Sequence, residues 1–260
     1  MYHKTEAIVL RTVDFSETSL IVTFFSRNFG KIHTLAKGGR RLKGPFESAL
    51  DLMAQTFVTF IPKRGGALDL LTEAKLHRRF CPEERNFSGM YAGYYVIELL
   101  ENTTVEGNPQ PELYDEAAET LKLLADGVRV MPCLMRFEWR LLQEIGMFPS
   151  LEACVQCGGK MPENPGRTMT FTPIDGGVIC SECRVGKPHL MVISAELAST
   201  VIKMAELPAP LWNSVSLPVL RQMRQLLNHY ISHLLGKRPK MFDYFKTMAE
   251  RDKDVQNNTD

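Results

Sequence analysis

Residues 31–44 read KIHTLAKGGRRLKG, with five cations (Lys31, Lys37, Arg40, Arg41 and Lys43) and no acid. The first half alternates as a strand does, so Lys31, His33, Leu35 and Lys37 project from one face. The second half opens on Gly38 and Gly39, which free the backbone for a wide turn. A strand that feeds a glycine-hinged basic loop suits a phosphate backbone, because its cations displace condensed counterions. An ordinary hairpin with a solvated loop has the same composition. The neighbouring sequence decides between them.

Working outward, strand-like runs occupy residues 7–13, 20–25, 50–61 and 68–76, with the basic strand between the second and third. Five strands in about eighty residues, with no long helical pattern, predict a small barrel such as the OB-fold; an SH3-like barrel or a half-sandwich also fits. OB-folds commonly bind single-stranded nucleic acid in a cationic groove lined with aromatic platforms. Phe15, Phe29 and Phe46 are candidate platforms in turns beside the basic stretch, although each also suits a core plug. Lys63 and Arg64, in the turn before the last strand, extend the cationic track.

The formal net charge of +1 conceals an asymmetry. Residues 1–80 hold thirteen Lys/Arg and seven Asp/Glu, residues 81–150 five and twelve, and residues 151–260 thirteen and eleven. A basic front end beside an acidic middle points to a polyanion partner at the front. The N-terminus lacks a signal-peptide pattern, and no apolar run is long enough to cross a bilayer, so the chain reads as cytosolic and without a membrane role. In that compartment the six cysteines read as thiols or metal ligands rather than disulfides.

Beyond Cys81-Pro82 the apolar period becomes helical. One helix spans 83–101, a second 113–125, and a third opens at Pro132 and closes at Gly146. On the third, Arg136, Arg140 and Glu144 repeat every four residues beside an apolar stripe. That spacing fits a surface Arg140–Glu144 pair, and alternatively an anchor for an acidic peptide. Further on, Ser194 caps a helix toward Leu207, and the regular apolar spacing over 219–235 predicts the last helix before Gly236.

Cys154-Val-Gln-Cys157 and Cys180-Ser-Glu-Cys183 form a C-x2-C pair of pairs, each beside glycines. Two-residue spacing brings both thiolates of a turn onto one tetrahedral ion, and four thiolates fill its coordination sphere. One structural zinc is therefore predicted, with Cys154, Cys157, Cys180 and Cys183 as ligands. The intervening residues, rich in proline and glycine, are too irregular to build an apolar core, so the metal supplies the folding energy. The H-x-E element that zinc deaminases pair with their cysteines is absent. Cys81 and Cys133 read as ordinary buried thiols.

In order and spacing, these pieces resemble the bacterial RecO family of recombination mediators. The resemblance rests on FSETSL at 15–20, GKIHTLAKGGRR at 30–41, YVIELL at 95–100, RFEWRLL at 136–142, GMFP at 146–149 and the two cysteine pairs. It implies an α+β multidomain chain. Its parts are a five-stranded OB-fold β-barrel (1–80), a helical domain in two parts (81–150 and 187–250), an inserted four-cysteine zinc module (151–186) and a disordered tail (251–260). It also implies a cytoplasmic, nucleoid-associated, non-enzymatic protein that binds single- and double-stranded DNA and anneals complementary strands. With RecR, such a protein helps RecA load onto DNA coated by single-strand-binding protein. The absence of a G-x4-G-K-[ST] motif agrees with annealing that needs no nucleotide hydrolysis. The family's AKGxR motif falls on Ala36–Arg40, which gives Lys37 and Arg40 a DNA-contact role. The RFE match makes Arg136 a candidate receiver, with Arg140, for the acidic C-terminal tail of single-strand-binding protein. Some relatives lack the cysteines, which favours structural zinc. The segment 235–242, LGKRPKMF, departs from the family's usual L-G … L-K-S-R. An RNA-binding OB/zinc-ribbon factor of translation or transcription has the same front-end composition, and a zinc enzyme is the third alternative.

Overall fold

The computed structural model describes residues 1–41, 44, 46, 48–63, 65, 67–82, 86–161, 167–204, 212 and 215–244. The expectations for Lys43, Arg64, Leu207 and the 251–260 tail lie outside the described residues. The chain divides into two compact units, residues 1–128 and 129–260.

In the first unit β1 (His3–Asp14), β2 (Leu20–Ser26), β3 (Gly30–Ala36), β4 (Gln55–Ile61) and β5 (Asp69–Arg78) close a barrel in the order β1-β2-β3-β5-β4. Neighbours are antiparallel except β3 and β5, which run parallel with Leu35 opposite Leu70. This is the OB-fold. In β3 the alternation holds: Ile32, Thr34 and Ala36 are buried while Lys31, His33 and Leu35 keep partial exposure. Val22, Phe24, Ile32, Phe60 and Leu71 fill the barrel, and Phe46 belongs to the same cluster at 5% exposed.

The fourth strand starts later than the alternation from residue 50 predicts. Residues 48–53 form turns instead, with Ser48 and Met53 at φ 56° and 65°. Leu50 and Met53 are nonetheless buried, so their apolar signal came from burial without strand geometry.

Two helices complete this unit. α1 (Phe87–Thr103) is capped by Asn86, whose Oδ1 accepts from the Gly89 N–H at 2.8 Å; α2 (Pro111–Ala125) begins on a proline. Ile8, Leu10 and Phe25 are buried yet stand outside the barrel's own cluster. α1 packs on β1 and α2 on β2, with the Phe25 and Tyr114 rings 6.2 Å apart. Burying a side chain such as Phe25 contributes about 1.5–3 kcal/mol. Arg27 adds a two-pronged bond to Asp115 at 2.9 and 2.8 Å. The α1–α2 connection also lies on β3: the Lys31 N–H donates to the Val105 carbonyl, and Glu106 bridges to Gly30. Gly30 has φ 67°, and a Cβ there would collide with the Asn108 backbone.

In the second unit α3 (Val130–Glu144), α4 (Ala195–Met204) and α5 (Leu217–Leu234) accompany a small sheet of order β7-β6-β8. Its strands are β6 (Thr168–Thr172), β7 (Gly177–Ile179) and β8 (Met191–Ser194). This sheet corrects the expectation of a segment without apolar packing. Phe171 and Val178 are fully buried, and Phe171 meets Tyr230 of α5 edge-on at 5.6 Å. Ser194 caps α4 as predicted, its Oγ accepting from the Leu197 N–H at 3.0 Å. Cys133 is buried, but Cys81 is exposed.

Glu138 of α3, fully buried, accepts two bonds from Arg224 of α5 at 2.9 and 2.5 Å, and that guanidinium lies 5.3 Å from the Phe242 ring centre. Arg224→Met removes two charge-assisted bonds from a buried carboxylate, and chemical denaturation should show a loss of about 3–5 kcal/mol. The double variant Glu138→Met/Arg224→Met should recover most of it. In the first unit, Gly30→Ala should lower stability by roughly 2–3 kcal/mol in the same measurement.

Candidate functional site

The basic stretch separates into groups with different surroundings. Lys31 is half-buried, and its Nζ donates to the Glu101 carbonyl oxygen at 2.6 Å. Burial lowers its pKa, against the opposing pull of Glu101 and Glu106. Beside it His33 Nε2 donates to Glu106 Oε1 at 3.1 Å, and its Nδ1 hydrogen-bonds the Thr23 hydroxyl at 2.9 Å. These two side chains hold the α1–α2 connection against β3.

The loop after β3 is exposed. It takes two tight turns rather than one wide one: the Gly39 N–H donates to the Ala36 carbonyl and the Arg41 N–H to the Gly38 carbonyl, with Gly38 at φ 78°. The Arg40 N–H donates to the Thr18 carbonyl, and its guanidinium reaches the Ser16 carbonyl at 3.3 Å and Asp14 at 3.4 Å. The loop is thereby fastened to the β1–β2 connection. Lys37 and Arg41 are exposed and form no ion pair with another described residue. The Lys63 side chain, on the β4–β5 connection, likewise has no ion-pair partner among the described residues, while its backbone N–H donates to Asp69 Oδ1 at 2.8 Å. It borders an open depression of about 600 Å³ that His3, Phe29, Phe60, Lys31 and Glu106 also line.

The three candidate platforms are now distinguished. Phe46 is core. Phe29 stacks on His3 at 4.7 Å and packs against the barrel interior. Phe15 is 58% exposed, in the connection that Arg40 grips.

On α3, Arg136 and Arg140 are half-buried, and the Arg140 guanidinium donates to Gln143 Oε1 at 3.4 Å. Glu138, between them, is the buried partner of Arg224. Sequence reading missed this ion pair, although a lone acid flanked by Phe137 and Trp139 was a signal for it.

In the same unit the four cysteines converge: their sulfurs all lie within 4.8 Å of one another, with Cys157 and Cys180 at 3.9 Å. Sulfurs bound tetrahedrally at about 2.3 Å sit roughly 3.8 Å apart, so the donor set fits one metal ion. Burial pushes the Cys154 thiol up. Backbone N–H groups of Cys157, Cys180 and Gln156 outweigh it and bring the pKa down to about 6. Cys183 is pushed up to about 12, chiefly by its contact with Cys180. Crowded thiols resist joint ionisation, which a cation among them reverses.

Fold and site together define a class: an OB-barrel protein with an exposed basic loop, joined to a helical unit that carries a four-cysteine cluster able to hold a metal ion. Comparison with known proteins agrees. The Recombination protein O N-terminal family model matches residues 1–80, and the Recombination protein O C-terminal model matches residues 84–241. The chain is 37% identical to the DNA repair protein RecO of Rhodopirellula baltica, over 90% of this chain and 96% of that protein. It is 30% identical to the RecO of Syntrophus aciditrophicus (92% and 93% covered) and to that of Bacillus pumilus (96% and 97%). The chain belongs to the RecO family, and the assignment supports a role in DNA repair and recombination. Among the described residues no helix is long and apolar enough to cross a membrane.

Elemental analysis of the purified chain should find one metal ion per molecule, and Cys157→Ser should abolish it. A chelator should lower the melting temperature of residues 129–260 while leaving the barrel's melting unchanged.

Proposed function

We propose that this chain is a recombination mediator without covalent chemistry, acting in the cytoplasm at the nucleoid. It binds single- and double-stranded DNA through Lys37, Arg40, Arg41 and Lys63 and anneals complementary strands. With RecR it helps RecA load onto DNA coated by single-strand-binding protein, whose acidic tail is received near Arg136 and Arg140. The observation that carries the reading is the exposed pair Lys37 and Arg41, unmatched by any described acid, on a barrel rim. Unpaired surface cations leave bound anions free to exchange for phosphates, and the release of counterions drives association. Lys31 serves a different purpose: with its Nζ on the Glu101 carbonyl, it braces the connection beneath the rim.

The four thiols are assigned to one structural zinc. Four sulfurs complete a tetrahedral sphere and leave no position for a substrate. The metal then holds the shape of residues 151–186 and takes no part in a reaction.

The test is annealing of complementary strands coated by single-strand-binding protein, comparing wild type with Lys37→Ala/Arg40→Ala. The double variant should anneal at least tenfold more slowly. The slope of log affinity against log salt should fall by about 1.4 for single strands, at about 0.7 for each lost contact. Unchanged annealing and an unchanged slope would remove the rim from the mechanism.

A further inference from the structure

The barrel's outer surface carries a row of side chains that the basic loop does not use. Strand pairing sets Val13 opposite Ile21, Ile21 opposite Leu35, Leu35 opposite Leu70, and Leu70 opposite Ile61. None of the five belongs to the barrel's interior cluster, and all keep contact with solvent, Val13 being 40% exposed. Five strands spaced by about 4.8 Å make the row roughly 19 Å long, running across the strands.

The remainder of this face is occupied. Ile8 and Phe25 lie beneath α1 and α2, and Thr23 is engaged by His33, which in turn reaches Glu106. The row is the part left open. Cations flank it on both sides. Two residues beyond Leu35 stands Lys37, with Arg40 and Arg41 following; two residues before Val13 stands Arg11, and two beyond Ile61 stands Lys63. Asp14 and Glu101 pair with Arg40 and Arg11, Glu106 accepts from His33, and Asp69 accepts the Lys63 backbone N–H, while Lys37 and Arg41 beside the row have no acidic partner among the described residues.

We infer that a single DNA strand crosses the barrel along this row, with its bases resting on Val13, Ile21, Leu35, Leu70 and Ile61. This rests on the DNA-binding reading above and adds which part of the strand faces the protein. The phosphates lie over the cations on either side, and the length accommodates roughly five bases at a stacked spacing of about 3.4 Å. The row is aliphatic throughout. Aromatic platforms hold bases by stacking on their π-faces. Aliphatic side chains shield the bases from water without that grip, so a base can leave for its complement. The row is a rest from which bases depart, suited to a protein whose bound strand must pair again.

The test uses the full chain with labelled oligo-dT, an abasic strand of equal length, and an annealing assay. Wild type should bind the abasic strand about tenfold more weakly than oligo-dT. Leu35→Gln should weaken oligo-dT binding about three- to tenfold at every salt concentration, with the salt slope unchanged and abasic binding unaffected. Leu35→Phe should tighten oligo-dT binding and slow annealing, a pair of opposite effects that a merely structural residue does not produce. Equal wild-type affinity for the two strands would overturn the inference, and this comparison holds even if a variant fails to fold. Equal affinity would also be the result if the row receives a protein instead. If Lys37→Ala/Arg40→Ala loses binding while the Leu35 variants match wild type, the rim reading survives and the row assignment falls. If neither position matters, both fall.

Discussion

The burial of one apolar half of the barrel's outside beneath α1 and α2 governs the organisation of the first unit. A five-stranded barrel has a single interior, and Ile8, Leu10 and Phe25 are too apolar to face water outside it. The two helices cover them, and the connection between the helices is then drawn across the start of β3, where only a glycine fits at position 30. Arg27 on Asp115 and Lys31 on the Glu101 carbonyl fasten that arrangement at its edge. What remains uncovered is the opposite half of the face, with its basic loop.

This division explains why five cations in one stretch do not share one task. Lys31 points from the covered end of β3 and Lys37 follows its open end; at about 3.3 Å per residue they are roughly 20 Å apart. The alternation of β3 was legible in the residues, as were the strand succession, the Ser194 cap and the cysteine quartet. Lys31's bond to a carbonyl seventy residues away was not, because local spacing carries no information about which helix end will lie against a strand. Residues 50–53 misled for a related reason: apolar side chains buried by a turn look like those of a strand. The convergence of the four cysteines was readable because short spacing within each pair sets its geometry. Their sheet was obscured by the prolines and glycines around it.

The second unit combines two unlike sources of order. One is chemical, the four converging sulfurs. The other is packing, with Phe171 of the small sheet against Tyr230 and the Tyr230 hydroxyl donating to the Met147 carbonyl at 2.8 Å. The latter joins the cysteine module to α5 independently of any ion. The buried Glu138–Arg224 pair joins α3 to the same helix, so α5 is where these attachments meet.

Closure of the barrel has an additional effect at high local density. Every strand of the first unit has a neighbour on each side over part of its length, which shortens the rows of backbone donors and acceptors open to a foreign strand. The outer strands of the second unit's sheet, β7 and β8, are only three and four residues long. Such short edges offer a weak template for cross-molecular sheet growth. Copies at high concentration therefore gain little opportunity to pair through the edges of that small sheet.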